Sequence, residues 1–180
     1  MDGKKRFLAF LVVICSFVAA AGCGKPGKTT AKEFYALGMK KAAAWQQDAF
    51  LTRLATSARY ELDAEGKSAF WSVSFYSPSS RKAYTVMVDP NVNEGDLQEF
   101  KLPAGKHLEA PPALTDAMLD SVRLYKIAVE GMGSEFKRDS DVITLQLAPV
   151  GAKYVWTIQC TDRETMKKSK FNREVDAQTL

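Results

Sequence analysis

The sequence predicts an α+β fold made of two tandem repeats, each a helix packed on a three- to four-stranded antiparallel meander. Three observations carry that expectation. An offset of about 85 residues brings Ala58, Tyr60 and Leu62 onto Ile143, Leu145 and Leu147, Gly66 onto Gly151, and Trp71, Val73 and Phe75 onto Trp156, Ile158 and Cys160. A helical spacing of apolar residues opens each copy, and short alternating runs separated by turn signals follow it. Of the 180 residues, 46% are hydrophobic and 26% charged, a balance that suits a packed globular chain rather than a disordered or multi-span one.

The first 22 residues stand outside this plan. Lys4, Lys5 and Arg6 precede the uncharged apolar run Phe7 to Val18, which is short for a bilayer span and about the length of a signal h-region. Ala19, Ala20, Ala21 and Gly22 follow, then Cys23. This small-small-Gly-Cys ending resembles the lipobox of bacterial lipoproteins, although Ala20 stands where that family usually has Leu. The resemblance implies that residues 1–22 are a signal peptide and that Cys23 becomes the acylated first residue of the mature chain. It also implies a membrane association through the N-terminal lipid. Gly24, in place of the Asp that retains lipoproteins in the inner membrane of enterobacteria-like systems, favours the outer membrane, facing the periplasm. Residues 23–29 then read as a lipidated tether. Removing residues 1–22 takes three of the 25 basic and one of the 21 acidic residues, so the net charge drops from +4 to about +2. Of the three cysteines, only Cys160 would remain as a free thiol, and no disulfide could form within the mature chain.

The first repeat is expected over residues 30–102. Thr30 and Glu33 have the spacing of a capping box, and Phe34, Leu37, Ala42, Trp45 and Ala49 continue a helix to about Leu54. Strands are expected at Arg59 to Leu62, Ala69 to Tyr76 and Ala83 to Val88, with a fourth at Leu97 to Leu102. Residues 103–113, rich in Pro, Ala and Gly, form the connector. The second repeat is expected over residues 114–180. Its helix places Asp116 in the first turn, Ala117, Ser121, Leu124 and Ala128 in one row and Met118, Val122, Tyr125, Val129 and Met132 beside it, and it ends at Gly131 and Gly133. Strands are expected at Val142 to Leu147, Tyr154 to Cys160 and Lys170 to Val175.

Alternation assigns the faces. Trp71, Val73 and Phe75, with Trp156, Ile158 and Cys160, point toward the helices. Phe70, Ser72, Ser74 and Tyr76, with Thr157 and Gln159, point the other way, and these six residues form the candidate partner face. The tandem of helix and meander, with Leu119-Asp120-Ser121, Ala128 and Gly131 in the second helix, resembles PepSY-like and β-lactamase-inhibitor-protein-like modules. That resemblance implies a concave sheet face shared by two copies and an extracytoplasmic module that inhibits or chaperones peptidases, with no catalytic residues.

The remaining chemistry is sparse. His107 is the single imidazole and lies in the connector, which excludes a multi-His metal centre, and no nucleophile or phosphate-binding motif occurs. Cys160 reads as a buried, inert thiol. Asp139, Ser140 and Asp141 lack the further ligands of a calcium loop and read as a turn. Asp89 and Asp176 match across the repeat and read as strand ends. Arg163, Lys167, Lys168, Lys170 and Arg173 read as solvated edge charges. No catalytic residue, cofactor, metal or nucleic-acid partner is expected. The expected function is a lipid-anchored, extracytoplasmic, non-catalytic binding module for a protein or peptide, with a structural or assembly factor of the cell envelope as the alternative.

Overall fold

The computed structural model describes residues 27–60, 62–88, 98–101, 108–165 and 169–180. Strand β1 is Thr29–Thr30, helix α1 is Ala31–Trp45, and β2 to β6 are Phe50–Thr56, Lys67–Ser68, Trp71–Ser77, Lys82–Val88 and Gln98–Lys101. A 3-10 turn at Ala117–Leu119 leads into helix α2, Ser121–Met132, and strands β7, Asp141–Val150, β8, Lys153–Asp162, and β9, Ser169–Asp176, follow. Seven strands form one antiparallel sheet in the order β6-β5-β4-β2-β7-β8-β9, while β1 and β3 make a separate two-stranded ribbon. The α+β class and the antiparallel pairing match the sequence expectation; the strands form one large sheet where two meanders were expected.

Helix α1 starts as its capping box requires. The Glu33 N–H donates to Thr30 Oγ1 at 3.3 Å, and Glu33 Oε2 accepts from the Thr30 N–H at 2.8 Å. The helix buries Ala31, Phe34, Gly38 and Ala42 along one side. At Gly38 it lies so close to β4 that a Cβ would stand 2.6 Å from Val73 Cγ1, so only glycine fits there. The helix stops at Trp45, short of the expected Leu54, and Phe50–Thr56 is a strand instead. The reason is a bulge. The β2–β4 register pairs Leu51 with Phe75 and then Arg53 with Ser74, leaving Thr52 as the extra residue. Leu51 and Leu54 thus both face the core, and their three-residue spacing imitates a helix in the sequence.

The expected strand Arg59 to Leu62 is also displaced, so the match of Ala58, Tyr60 and Leu62 to Ile143, Leu145 and Leu147 does not hold; β2, next to β7, takes that place. The described residues between β2 and β4, 57–60 and 62–70, lie outside the seven-stranded sheet, turn at Gly66, pair as β3 with β1, and return at Trp71. Gly66 has φ +66°, and a Cβ there would stand 2.5 Å from the Val122 backbone nitrogen, so this excursion presses on the start of α2. Ser121 Oγ, buried, donates to the Gly66 carbonyl at 2.7 Å and accepts from the Ala31 N–H at 3.2 Å, tying the starts of both helices to the excursion.

Helix α2 begins at Ser121 rather than near Asp116, because Asp120 supplies the cap: its carboxylate accepts from the Arg123 N–H at 2.9 Å. The helix buries Ser121, Leu124 and Ala128 from the predicted row and Met132 from the row beside it, while Ala117 lies in the preceding 3-10 turn, and it ends at Gly133 with φ +54°. Gly131 lies inside the helix, where a Cβ would stand 2.5 Å from the Phe171 ring. Both helices lie on the face carrying Trp71, Val73 and Phe75 in one half and Trp156, Ile158 and Cys160 in the other, and these side chains share one core. The two indoles are held alike. Trp71 Nε1 donates to the Thr29 carbonyl and Trp156 Nε1 to the Met118 carbonyl, each at 2.8 Å, just ahead of the respective helix. The expected fourth strand of the first half is present as β6.

Candidate functional site

The sheet face opposite the helices is built by register. From the β5 side, Thr85 lies opposite Ser74 and Ser74 opposite Arg53; Met87 lies opposite Ser72 and Ser72 opposite Ala55. Across the centre Ala55 pairs with Gln146, Gln146 with Thr157, and Thr157 with Glu174, while Thr144 pairs with Gln159 and Gln159 with Asn172. The result is one continuous surface spanning both halves, mostly hydroxyl and amide side chains, with Met87 and Ala55 as apolar members and Arg53 and Glu174 as charged ones. Ser74 Oγ and Thr85 Oγ1 share a hydrogen bond of 2.9 Å, and Thr52 Oγ1 donates to the Ser74 carbonyl at 3.1 Å. Arg53 Nε donates to Gln146 Oε1 at 3.1 Å across the β2–β7 seam. Beside that bond is a shallow depression of about 290 Å³, lined by Arg53, Ala55, Thr144, Gln146, Thr157 and Gln159.

Four of the six predicted residues lie on this face. Ser72, Ser74 and Thr157 are half-buried and Gln159 is exposed. Phe70 precedes β4 and stacks on Tyr60, ring centroids 5.6 Å apart, so it belongs to the excursion rather than to the open strand surface. Tyr76 shares the face but is 1% exposed, with its ring edge-on to Phe50 at 5.7 Å, which corrects its assignment as a contact residue. Arg53, Thr144 and Gln146 were missed. Arg53 fell in a stretch read as helix, and the alternation of β7 was read only for its buried side. Among the described residues, Arg53 is the one charged side chain on the open face of β5, β4, β2 and β7. At the start of β8, Lys153 is paired with Asp176 at 2.8 Å. The carboxyl of Asp176 is held below its ordinary range by that bond and by the Gln178 N–H.

Other titratable groups serve the fold. Cys160 is fully buried, and desolvation pushes its thiol up to about 11. Asp141, read as a turn residue, opens β7 with a buried carboxylate that accepts from Lys170 Nζ at 2.5 Å and from the Lys137 N–H at 2.8 Å. Lys170 also lies 3.7 Å from Asp162, so this surface lysine is a counter-ion shared by two carboxylates facing each other across β7 and β8, not a free edge charge. The bond to Asp141 holds the Lys170 ammonium above its ordinary range. A second concavity, about 600 Å³, is lined by Lys28, Arg59, Tyr60 and Arg163, and Lys28 pairs there with Asp63 at 3.2 Å. No cluster of three or more His, Cys, Asp or Glu side chains suited to a metal ion occurs among the described residues. Cys23, Asp89, His107, Lys167 and Lys168 lie outside the described residues.

Compared with known proteins, the chain matches no family model, no curated protein and no solved structure.

Proposed function

We propose that this chain is a lipid-anchored, extracytoplasmic, non-catalytic binding module that holds a protein or peptide, such as a peptidase, on the open face of its seven-stranded sheet. The observation that carries the reading is the placement of both helices on one face, which leaves the other as a continuous polar surface across the β2–β7 seam. Hydroxyl and amide side chains at strand spacing suit recognition of an extended segment or a second sheet. The lipid anchor rests on the lipobox-like ending at Cys23.

The module is built of two copies of a helix-and-meander unit, of the kind found in PepSY-like and β-lactamase-inhibitor-protein-like folds. Matching registers support this. Trp71 lies opposite Val88 and Phe75 opposite Tyr84 in one half; Trp156 lies opposite Val175 and Cys160 opposite Phe171 in the other. The halves meet through their first strands, where Leu54 pairs with Leu147 and Ala55 with Gln146. Residues 57–70 are then an insertion of the first copy, standing where the second turns tightly at Gly151 and Ala152.

Two measurements test this. Cys23→Ala is expected to move the protein from the membrane to the soluble fraction, and unchanged fractionation sinks the anchor. Photo-crosslinkers at Ser74 and Thr157 are expected to give protein adducts in the intact envelope, whereas crosslinkers at Lys40 and Glu130 on the helices are not. Adducts from the helix positions alone would reverse the binding face, and adducts only with envelope assembly components would make the protein an assembly factor.

A further inference from the structure

We propose that Arg53 is the anchor that receives an Asp or Glu side chain of the bound protein segment, in the depression at the centre of the open face; this rests on the open face being the binding face. The bulge at Thr52 sets the geometry. Regular pairing would place Leu51 and Arg53 on the same side of β2; the extra residue sends Leu51 into the core and turns Arg53 outward. Gln146 Oε1 then holds the Arg53 Nε at 3.1 Å and fixes the plane of the guanidinium. A guanidinium has five N–H donors in a rigid fork, and with Nε engaged its two terminal nitrogens still present the rest. Among the described residues no acceptor meets them.

The surroundings suit a carboxylate. The neighbours in the depression are short or neutral: Ala55, Thr144, Gln146, Thr157 and Gln159. At about 290 Å³ the depression suits the end of a side chain better than a whole cofactor. No carboxylate shares the open face of β5, β4, β2 or β7 among the described residues; Glu174, opposite Thr157, and Asp176, paired with Lys153, lie farther out on β9, so Arg53 is the one charge on the central strands of this face. Charge complementarity on such a surface selects an acidic side chain, and the hydroxyls and amides around it supply register rather than charge.

The test uses the full-length chain in detergent and a random dodecapeptide library displayed with the peptide C-terminus fused to the phage coat, so that no free terminal carboxylate competes. Selected peptides are expected to be enriched in Asp or Glu. Their affinity should fall about ten- to a hundred-fold in Arg53→Gln and by less in Arg53→Lys, which keeps the charge and loses the fork. Selection without acidic enrichment, or peptides that bind Arg53→Gln as tightly as the parent, would overturn the anchor. Thr157→Arg, which crowds the same face, separates the two ideas: sensitivity to Thr157→Arg with indifference to Arg53→Gln would remove the anchor and keep the binding face. Indifference to both would remove the two together.

Discussion

Cys160 shows how position silences a reactive group. It lies on the inward side of β8, in line with Trp156 and Ile158, and has no exposed surface. Desolvation is the main cause of its raised pKa; the charge of Asp141 adds to it and Lys170 opposes it. A thiol held at about 11 in the fold and near 8.5 in the unfolded chain contributes stability that is fully present below about pH 8.5. That contribution is lost as pH rises through about 11, because the unfolded chain releases the proton first. Lys170 is also raised and adds a loss of the same sign. Urea midpoints should therefore fall more steeply with pH in the parent than in Cys160→Ala, and that difference isolates the thiol. A second reading is available at neutral pH, where a thiol reagent should modify Cys160 only as fast as the chain unfolds. Equal alkaline slopes, or rapid modification of the folded protein, would show that the thiol is not sealed in the core.

At the scale of elements, what was legible followed from regular periodicity, and what was not followed from its local interruption. Strands β4 and β8 alternate over Trp71, Val73 and Phe75 and over Trp156, Ile158 and Cys160, so those inward residues could be read directly. Helix α2 keeps one apolar row and was read nearly to its ends. Strand β2 could not be read, because the bulge at Thr52 gives Leu51 and Leu54 the spacing of a helix, and with that strand Arg53 lost its place on the open face. Tyr76 was misjudged for another reason: alternation reports which side of the sheet a residue takes, not whether a neighbour such as Phe50 covers it. Asp141 looked like a turn residue because its partner, Lys170, lies on another strand. That pair pins the start of β7 to the start of β9. Lys170→Met should lower the urea midpoint, since it leaves a buried carboxylate without its counter-ion. The cost stays below the fullest penalty because the Lys137 N–H remains and the lysine end is partly solvated. The double variant Asp141→Asn/Lys170→Met should recover part of the loss in urea denaturation. A double variant less stable than Lys170→Met alone would mean that the pair does not act as a unit.

At the scale of the whole molecule, the two halves meet along a narrow line but share one interior. Register across the seam pairs only Leu54 with Leu147 and Ala55 with Gln146, yet side chains extend the junction. The Leu145 N–H donates to Thr56 Oγ1 at 2.9 Å, and the buried Tyr154 hydroxyl donates to the Leu51 carbonyl at 3.0 Å. The excursion of residues 57–70 adds a second junction through Ser121, so the starts of both helices depend on a loop from the first half. Each half alone would be too small to bury much apolar surface, whereas the joint core runs from Phe34 and Trp71 through Leu54 and Leu147 to Trp156 and Leu124. Such a core is expected to unfold in one step rather than half by half. The three tryptophans make this measurable: Trp45→Phe/Trp156→Phe leaves Trp71 as the reporter of the first half, and Trp45→Phe/Trp71→Phe leaves Trp156 as the reporter of the second. Each variant loses a buried indole and the hydrogen bond it donates, so midpoints should be compared within a variant, between its tryptophan fluorescence and its far-ultraviolet circular dichroism. The two probes should coincide in both variants. A fluorescence midpoint that leads the circular dichroism in one variant and trails it in the other would mean that the halves melt separately and that the seam joins two independent units.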